Sequence, residues 1–153
     1  MTSPRGDRPD DDGAPNAPTS WFSPLSRPQC EKLLAEHDVG RIAWRASTGL
    51  QLLPVSYMWQ DCEIIFRTSP DGVLAELIEP IDVVFAVDRL DEHSHTGWSV
   101  MVNGRARRVL SSADLTRLRS ADGPVPWAAG GVRQLFVRIT PDQITGRSVI
   151  RRS

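Results

Sequence analysis

The stretch Gly97-Trp98-Ser99-Val100-Met101-Val102-Asn103-Gly104-Arg105-Ala106 constrains this chain most. Its side chains alternate with a period of two, which suits a strand with one buried face and not a helix. Trp98, Val100 and Val102 share one face; Ser99, Met101 and Asn103 share the other. Two readings of its end stay open. Gly104 marks a bulge or close backbone approach inside a longer strand, or Asn103-Gly104 turns a hairpin between two short strands.

Other stretches repeat the pattern. Arg41 to Ala46 puts Ile42 and Trp44 on one face and Arg41 and Arg45 on the other. Ser47-Thr48-Gly49 turns the chain into a second strand, Leu50 to Trp59. Pro54 within it cannot donate to a ladder, so that point lies on an edge or bulge. Gln60-Asp61 leads into Cys62 to Thr68, completing an antiparallel meander. Val83 to Val87 is apolar throughout and reads as a strand buried on both faces. Arg89 to Thr96 is a polar loop. Leu135 to Ile139 is a strand, Thr140-Pro141-Asp142 a turn, and Gln143 to Ile150 the last strand.

Helices are few and short. Ser26-Arg27-Pro28-Gln29 is a capping box for a helix carrying Cys30, Leu33 and Leu34, which stops near His37-Asp38-Val39-Gly40 with the glycine at its exit. Val73, Leu74, Leu77 and Ile78 fit a second, ended by Pro80, and Ser111 to Asp114 caps a third carrying Leu115 and Leu118. Ala121 to Gly131 is a Pro/Gly loop holding Trp127. About seven strands with short helices predict a mainly β fold, an antiparallel barrel whose closure removes exposed edges.

With 153 residues, the length suits one domain, placed at 21–153. Residues 1–20 are rich in Pro, Gly, Asp and Ser without hydrophobic period, and are expected to be a disordered acidic tail. Net charge is −1 and forms no basic field for nucleic acid or for a membrane surface. No apolar run approaches the roughly 20 residues of a spanning helix. Met1 to Asp12 carries no signal-peptide core, so the cytoplasm is the expected location. Cys30 and Cys62 are expected to be buried, reduced thiols, with a disulfide left open. His93-Ser94-His95 puts two rings on one side of an extended segment, but no third ligand stands at a recognisable spacing, so no metal is expected. Glycine patterns of the dinucleotide and P-loop kinds are missing, and Ser56 and Ser99 lack a nucleophile-elbow context.

Leu53-Pro54-Val55-Ser56-Tyr57, Ile64-Ile65-Phe66-Arg67-Thr68-Ser69 and the Trp98-Ser99 strand, in this order, resemble the pyridoxamine 5'-phosphate oxidase-like family of flavin-binding split β-barrels. More narrowly they look like its short actinobacterial members, and the resemblance covers roughly Leu25 to Ile150. The resemblance implies a split antiparallel β-barrel and a homodimer with FMN at each subunit interface. It implies that main chain at Pro54, Val55 and Ser56 meets the isoalloxazine edge. Arg67, Thr68 and Ser69 would meet the phosphate and ribityl groups, and Trp98 and Ser99 would lie near the ring. The chemistry is apt: strand backbone offers alternating donors and acceptors, and arginine with hydroxyls suits a phosphate.

One position departs from the family pattern. Many relatives carry a second phosphate cation where this chain has Val73, and Asp71 adds negative charge nearby. Arg147, in Thr145-Gly146-Arg147, is the candidate to compensate from the partner chain. The resemblance implies an FMN- or deazaflavin-dependent oxidoreductase of a small-molecule substrate, with no catalytic side chain identified. The alternative, motivated by Val73 and Asp71, is a non-catalytic barrel dimer that binds or sequesters a ligand without flavin. Haem, bound by some relatives of this barrel, stands third. Trp44, Trp59 and Trp98 exceed what one small core is expected to absorb, which also points to a dimer.

Overall fold

The alternation of the Trp98 strand is realised in full. Val100 and Val102 are sealed from solvent, while Met101 stays 44% exposed. The structure, a computed structural model, describes residues 20–69, 72–119 and 135–151. Residues 1–19 of the acidic tail, Asp71 and the loop with Trp127 lie outside the described residues.

The elements run β1 (Ser20–Pro24), α1 (Arg27–Glu36), β2 (Val39–Ala46), β3 (Gly49–Gln60), β4 (Glu63–Thr68), a 3-10 helix (Val73–Ile78), β5 (Ile81–Asp91), β6 (Thr96–Arg108), α2 (Ser112–Arg119) and β7 (Leu135–Arg151). One antiparallel sheet orders them β1-β7-β4-β3-β2-β5-β6, and β6 pairs back onto β7. Strands β7, β4, β3, β2, β5 and β6 therefore close a ring, with β1 added outside the ring on β7. This is the arrangement of a split barrel. Closure leaves few backbone groups unpaired at sheet edges.

The barrel fills itself with β-branched and aromatic side chains. Ile42, Ile64, Phe66, Phe85, Val100, Val102, Val137 and Ile139 pack inside. Helix α1 closes one end with Cys30 and Leu34. Its capping box forms as expected: Gln29 N donates to Ser26 Oγ at 3.3 Å, and Ser26 N donates to Gln29 Oε1 at 2.8 Å. The helix ends at His37 rather than at a glycine, and Gly40 lies within β2. Its last carbonyls find other donors: His37 Nδ1 donates to Leu33 O and Tyr57 Oη to Leu34 O, both at 2.7 Å. A smaller cluster of Ile65, Val109, Leu118 and Phe136 holds α2 against the outside of the barrel.

Several expectations need correction. Thr140-Pro141-Asp142 is no turn, because β7 runs unbroken through it for 17 residues. The pairing with β6 steps from Asn103↔Gln143 to Gly104↔Pro141, so Asp142 is the extra residue of a bulge. A Cβ at Gly104 would lie 2.5 Å from Thr140 O, so the close-approach reading of Gly104 holds and the hairpin reading fails. The loop after Arg89 is shorter than expected, since β5 and β6 stay paired out to Asp91↔Thr96. Val73–Ile78 coils as a 3-10 helix, and Ser20–Pro24 is a strand. Cys62 is exposed because it lies in the β3–β4 turn, outside both strands, where it and Asp61 have positive φ; Cys30 is buried, and both are free.

Candidate functional site

The meander fixes the first half of the site. The β3–β4 ladder runs from Gln60↔Glu63 to Tyr57↔Phe66 and stops, while β3 continues back through Ser56, Val55 and Pro54 and β4 continues through Arg67 and Thr68. The two strands part here, and the chain adds Pro54, whose nitrogen has no proton to give a ladder. Backbone of β3 on this side is thereby released from strand pairing, next to Arg67. The other edges stay paired, Ser56 with Val39 and Arg67 with Phe136.

Pleating then sorts the side chains. Pro54 and Ser56 lie on the outer face of β3, and Val55 and Tyr57 are buried inside. On β4, Arg67 is half-buried on the outer face, its guanidinium 5.4 Å from the centroid of the Phe136 ring. Thr68 points inward and is 1% exposed, with its hydroxyl 3.4 Å from Ser69 O. Val73 opens the 3-10 helix and is 46% exposed.

Trp98 and Ser99 part company in the same way. Trp98 packs against the core, its ring 4.9 Å from that of His37 at the exit of α1. Ser99 faces outward, opposite Asp88 on β5 and Arg147 on β7. The structure therefore brings Pro54–Ser56 together with Arg67 directly, and sets Ser99 on the same outer surface three strands away through β2 and β5. The side chains of Val55, Thr68 and Trp98 turn into the barrel and away from the outer face, and at Trp98 the main chain runs between paired β5 and β7.

Sequence reasoning missed the surface between these points. The outer face of β2, β3 and β5 carries Ala43, Leu50, Leu52 and Val84 around a groove of about 430 Å³. Leu50 is 77% and Leu52 64% exposed. Their alternation with Gln51 and Leu53 was visible, but a strand of near-uniform apolarity does not say which face is core. A second cavity of about 130 Å³ is lined by Arg41, Pro54, Asp88 and Arg89. Arg41 Nη1 meets Asp88 Oδ2 there at 3.1 Å.

The shifted groups are structural. Burial, with the Asp38 carboxylate, pushes the Tyr57 phenol well above its ordinary value. Burial raises the Cys30 thiol. Backbone N–H groups of Ser94 and His93 hold the Asp91 carboxyl below the usual range, and so tie the β5–β6 turn together. Among the described residues no group of three His, Cys, Asp or Glu side chains is placed to hold a metal, and no helix is long and apolar enough to cross a membrane.

Comparison with known proteins agrees with the architecture. A family model described as pyridoxamine 5'-phosphate oxidase matches residues 26–148. The FAD binding protein from Mycobacterium smegmatis is 32% identical and superposes with a TM-score of 0.70, over 85% of this chain and 99% of that one. A conserved protein of unknown function, DIP1874 from Corynebacterium diphtheriae, is 27% identical with a TM-score of 0.69, over 84% and 98%. The uncharacterized protein Rv0080 of Mycobacterium tuberculosis is 27% identical over 131 residues, 82% of this chain and 84% of its own length.

Proposed function

The chain belongs to the pyridoxamine 5'-phosphate oxidase family, and from that premise we propose that it binds a flavin nucleotide at the parted end of β3 and β4 and acts as an oxidoreductase on a small molecule. The observation that carries the reading is the release of the Pro54–Ser56 backbone from the β3–β4 ladder beside Arg67. A flavin edge needs a row of backbone donors and acceptors, and its phosphate needs a cation. Both kinds of group stand at one outer surface, so the residues present fit the cofactor. FMN is the expected form. The name of the Mycobacterium smegmatis relative supports FAD as an alternative, and a deazaflavin uses the same ring edge.

When bound, the flavin supplies the redox chemistry. The residues of this chain bind and orient it: main chain at Pro54, Val55 and Ser56 along the ring edge, and Arg67 at the phosphate, with Ser69 beside it. We further propose that two copies pair through the exposed Leu50 and Leu52 face and place the sites at the subunit interface, where water is excluded. The protein is expected in the cytoplasm.

A second reading has its own observation. Val73 stands exposed where a second cation would help hold a phosphate, which favours a dimer that carries a ligand without turning it over. The experiment is an absorption spectrum of the purified protein with mass analysis of the released ligand. Flavin bands with an FMN or FAD mass support the first reading. A colourless protein that takes up neither flavin nor deazaflavin overturns it.

A further inference from the structure

We propose that Ser99, Thr145 and Arg147 form an oxyanion-binding subsite on the outer face of β6 and β7, separate from the Arg67 end of β3 and β4. Register builds it. Ser99 stands opposite Arg147 and Met101 opposite Thr145, so four side chains make a square on one face. Opposed residues of an antiparallel pair have Cβ atoms about 4.5–5.5 Å apart. The square lines a cavity of about 310 Å³.

What orients it is the residue between. A Cβ at Gly146 would lie 2.6 Å from Cys30 Sγ and 3.1 Å from Leu25 Cδ1. Helix α1 and its lead-in close on the inner side of β7 at this glycine, which leaves Thr145 and Arg147 both facing out. The Arg147 guanidinium sits 5.0 Å from the centroid of the Phe22 ring, a contact that holds the side chain without neutralising it. The ion pairs among the described residues engage other cations and none of them uses Arg147. The acid nearest by register, Asp88 opposite Ser99, is already taken by Arg41. A planar guanidinium fork flanked by two hydroxyls is the donor set of a phosphate or carboxylate site.

Two sources carry that chemistry: an anionic group of the substrate, or the phosphate of a flavin seated on a second copy, for which Arg147 would supply the second cation in place of Val73. The second source rests on the flavin reading. The test titrates inorganic phosphate, and separately acetate, into the full-length protein and follows backbone amide resonances. Saturable shifts are expected at Ser99, Gly146 and Arg147. They should weaken by about tenfold in Arg147→Gln, the scale of one charge-assisted contact, and less in Arg147→Lys. Arg108→Gln, an exposed control of equal charge, should leave them unchanged. Shifts spread over every arginine, or surviving Arg147→Gln, overturn the subsite. FMN and riboflavin are then titrated against wild type and Arg147→Gln. Weakening of FMN alone assigns the flavin phosphate, and unchanged affinity for both assigns the substrate anion. If wild type binds neither flavin nor deazaflavin, the flavin reading fails, while the phosphate titration still decides the subsite.

Discussion

Arg67 is held by an aromatic face as well as by charge. Its guanidinium lies 5.4 Å from the Phe136 ring centroid, and Phe136 belongs to the cluster that docks α2. Truncation to alanine would remove packing together with charge, so Arg67→Met is the cleaner probe. If Arg67 contacts the flavin phosphate, that change should weaken FMN by about 1.5–3 kcal/mol, roughly 10- to 150-fold. Riboflavin, which lacks the phosphate, should bind as before in the same fluorescence titration. Equal losses for both ligands would show that Arg67 serves the ring or the fold instead. Val73→Lys is the complementary change. Its side chain is 46% exposed, so a lysine costs the core little. FMN affinity should rise by up to about tenfold, with the gain shrinking as salt is raised.

At the scale of elements, Tyr57 joins β3 to the end of α1 through its 2.7 Å bond to Leu34 O. It is the only tyrosine of the chain, so tyrosinate absorbance reports it without assignment. Its phenol is raised by burial, so the folded state holds the proton more tightly than the unfolded chain does. That contribution to stability is complete below the unfolded value of about 10 and is lost as pH rises through and beyond it. Urea midpoints from about pH 8 to about pH 11 should therefore fall in wild type more steeply than in Tyr57→Phe. At neutral pH Tyr57→Phe should be less stable by about 1–3 kcal/mol, because a helix-end carbonyl loses its donor. A wild-type tyrosine that titrates near its ordinary value would refute the burial argument. Gly104→Ala tests the bulge: a Cβ 2.5 Å from Thr140 O forces β6 off β7, and a loss of about 1–3 kcal/mol in the same unfolding assay is expected.

These elements also mark how far the sequence could be read. The capping box and the alternation of Trp98, Val100 and Val102 are local signals, and both are realised in the structure. The continuity of β7 is not local. Pro141 and Asp142 carry turn chemistry, and only the paired β6, with a glycine opposite, absorbs them as a bulge. The site divides along the same line. The stretches Pro54–Ser56 and Arg67–Thr68 were legible as motifs. That β3 and β4 part between them, and that Thr68 and Trp98 turn inward while Ser56, Arg67 and Ser99 turn out, depends on register.

For the whole molecule, the tryptophan argument for a dimer gives way to a better one. Trp44 is 3% exposed, and Trp59 and Trp98 pack on the same core, so a single barrel does absorb them. Among the described residues, the outer face of β2, β3 and β5 is one apolar surface that a single barrel leaves uncovered. Leu50 and Leu52 stand exposed there around the 430 Å³ groove, and Met101 continues the apolar surface onto β6 toward Ser99 and Arg147. Contiguous apolar surface of this kind marks an interaction site more often than a bare surface, and a stable pairing buries roughly 800 Å² on each partner. Leu52→Arg places a charge at the centre of that face while touching no buried position. It should convert a dimer to a folded monomer in light scattering, with unchanged circular dichroism. If the sites lie across the interface, flavin content should fall with it. A monomeric wild type at micromolar concentration would remove the dimer. A Leu52→Arg protein that stays dimeric would move the interface to another face, and the shared-site geometry with it.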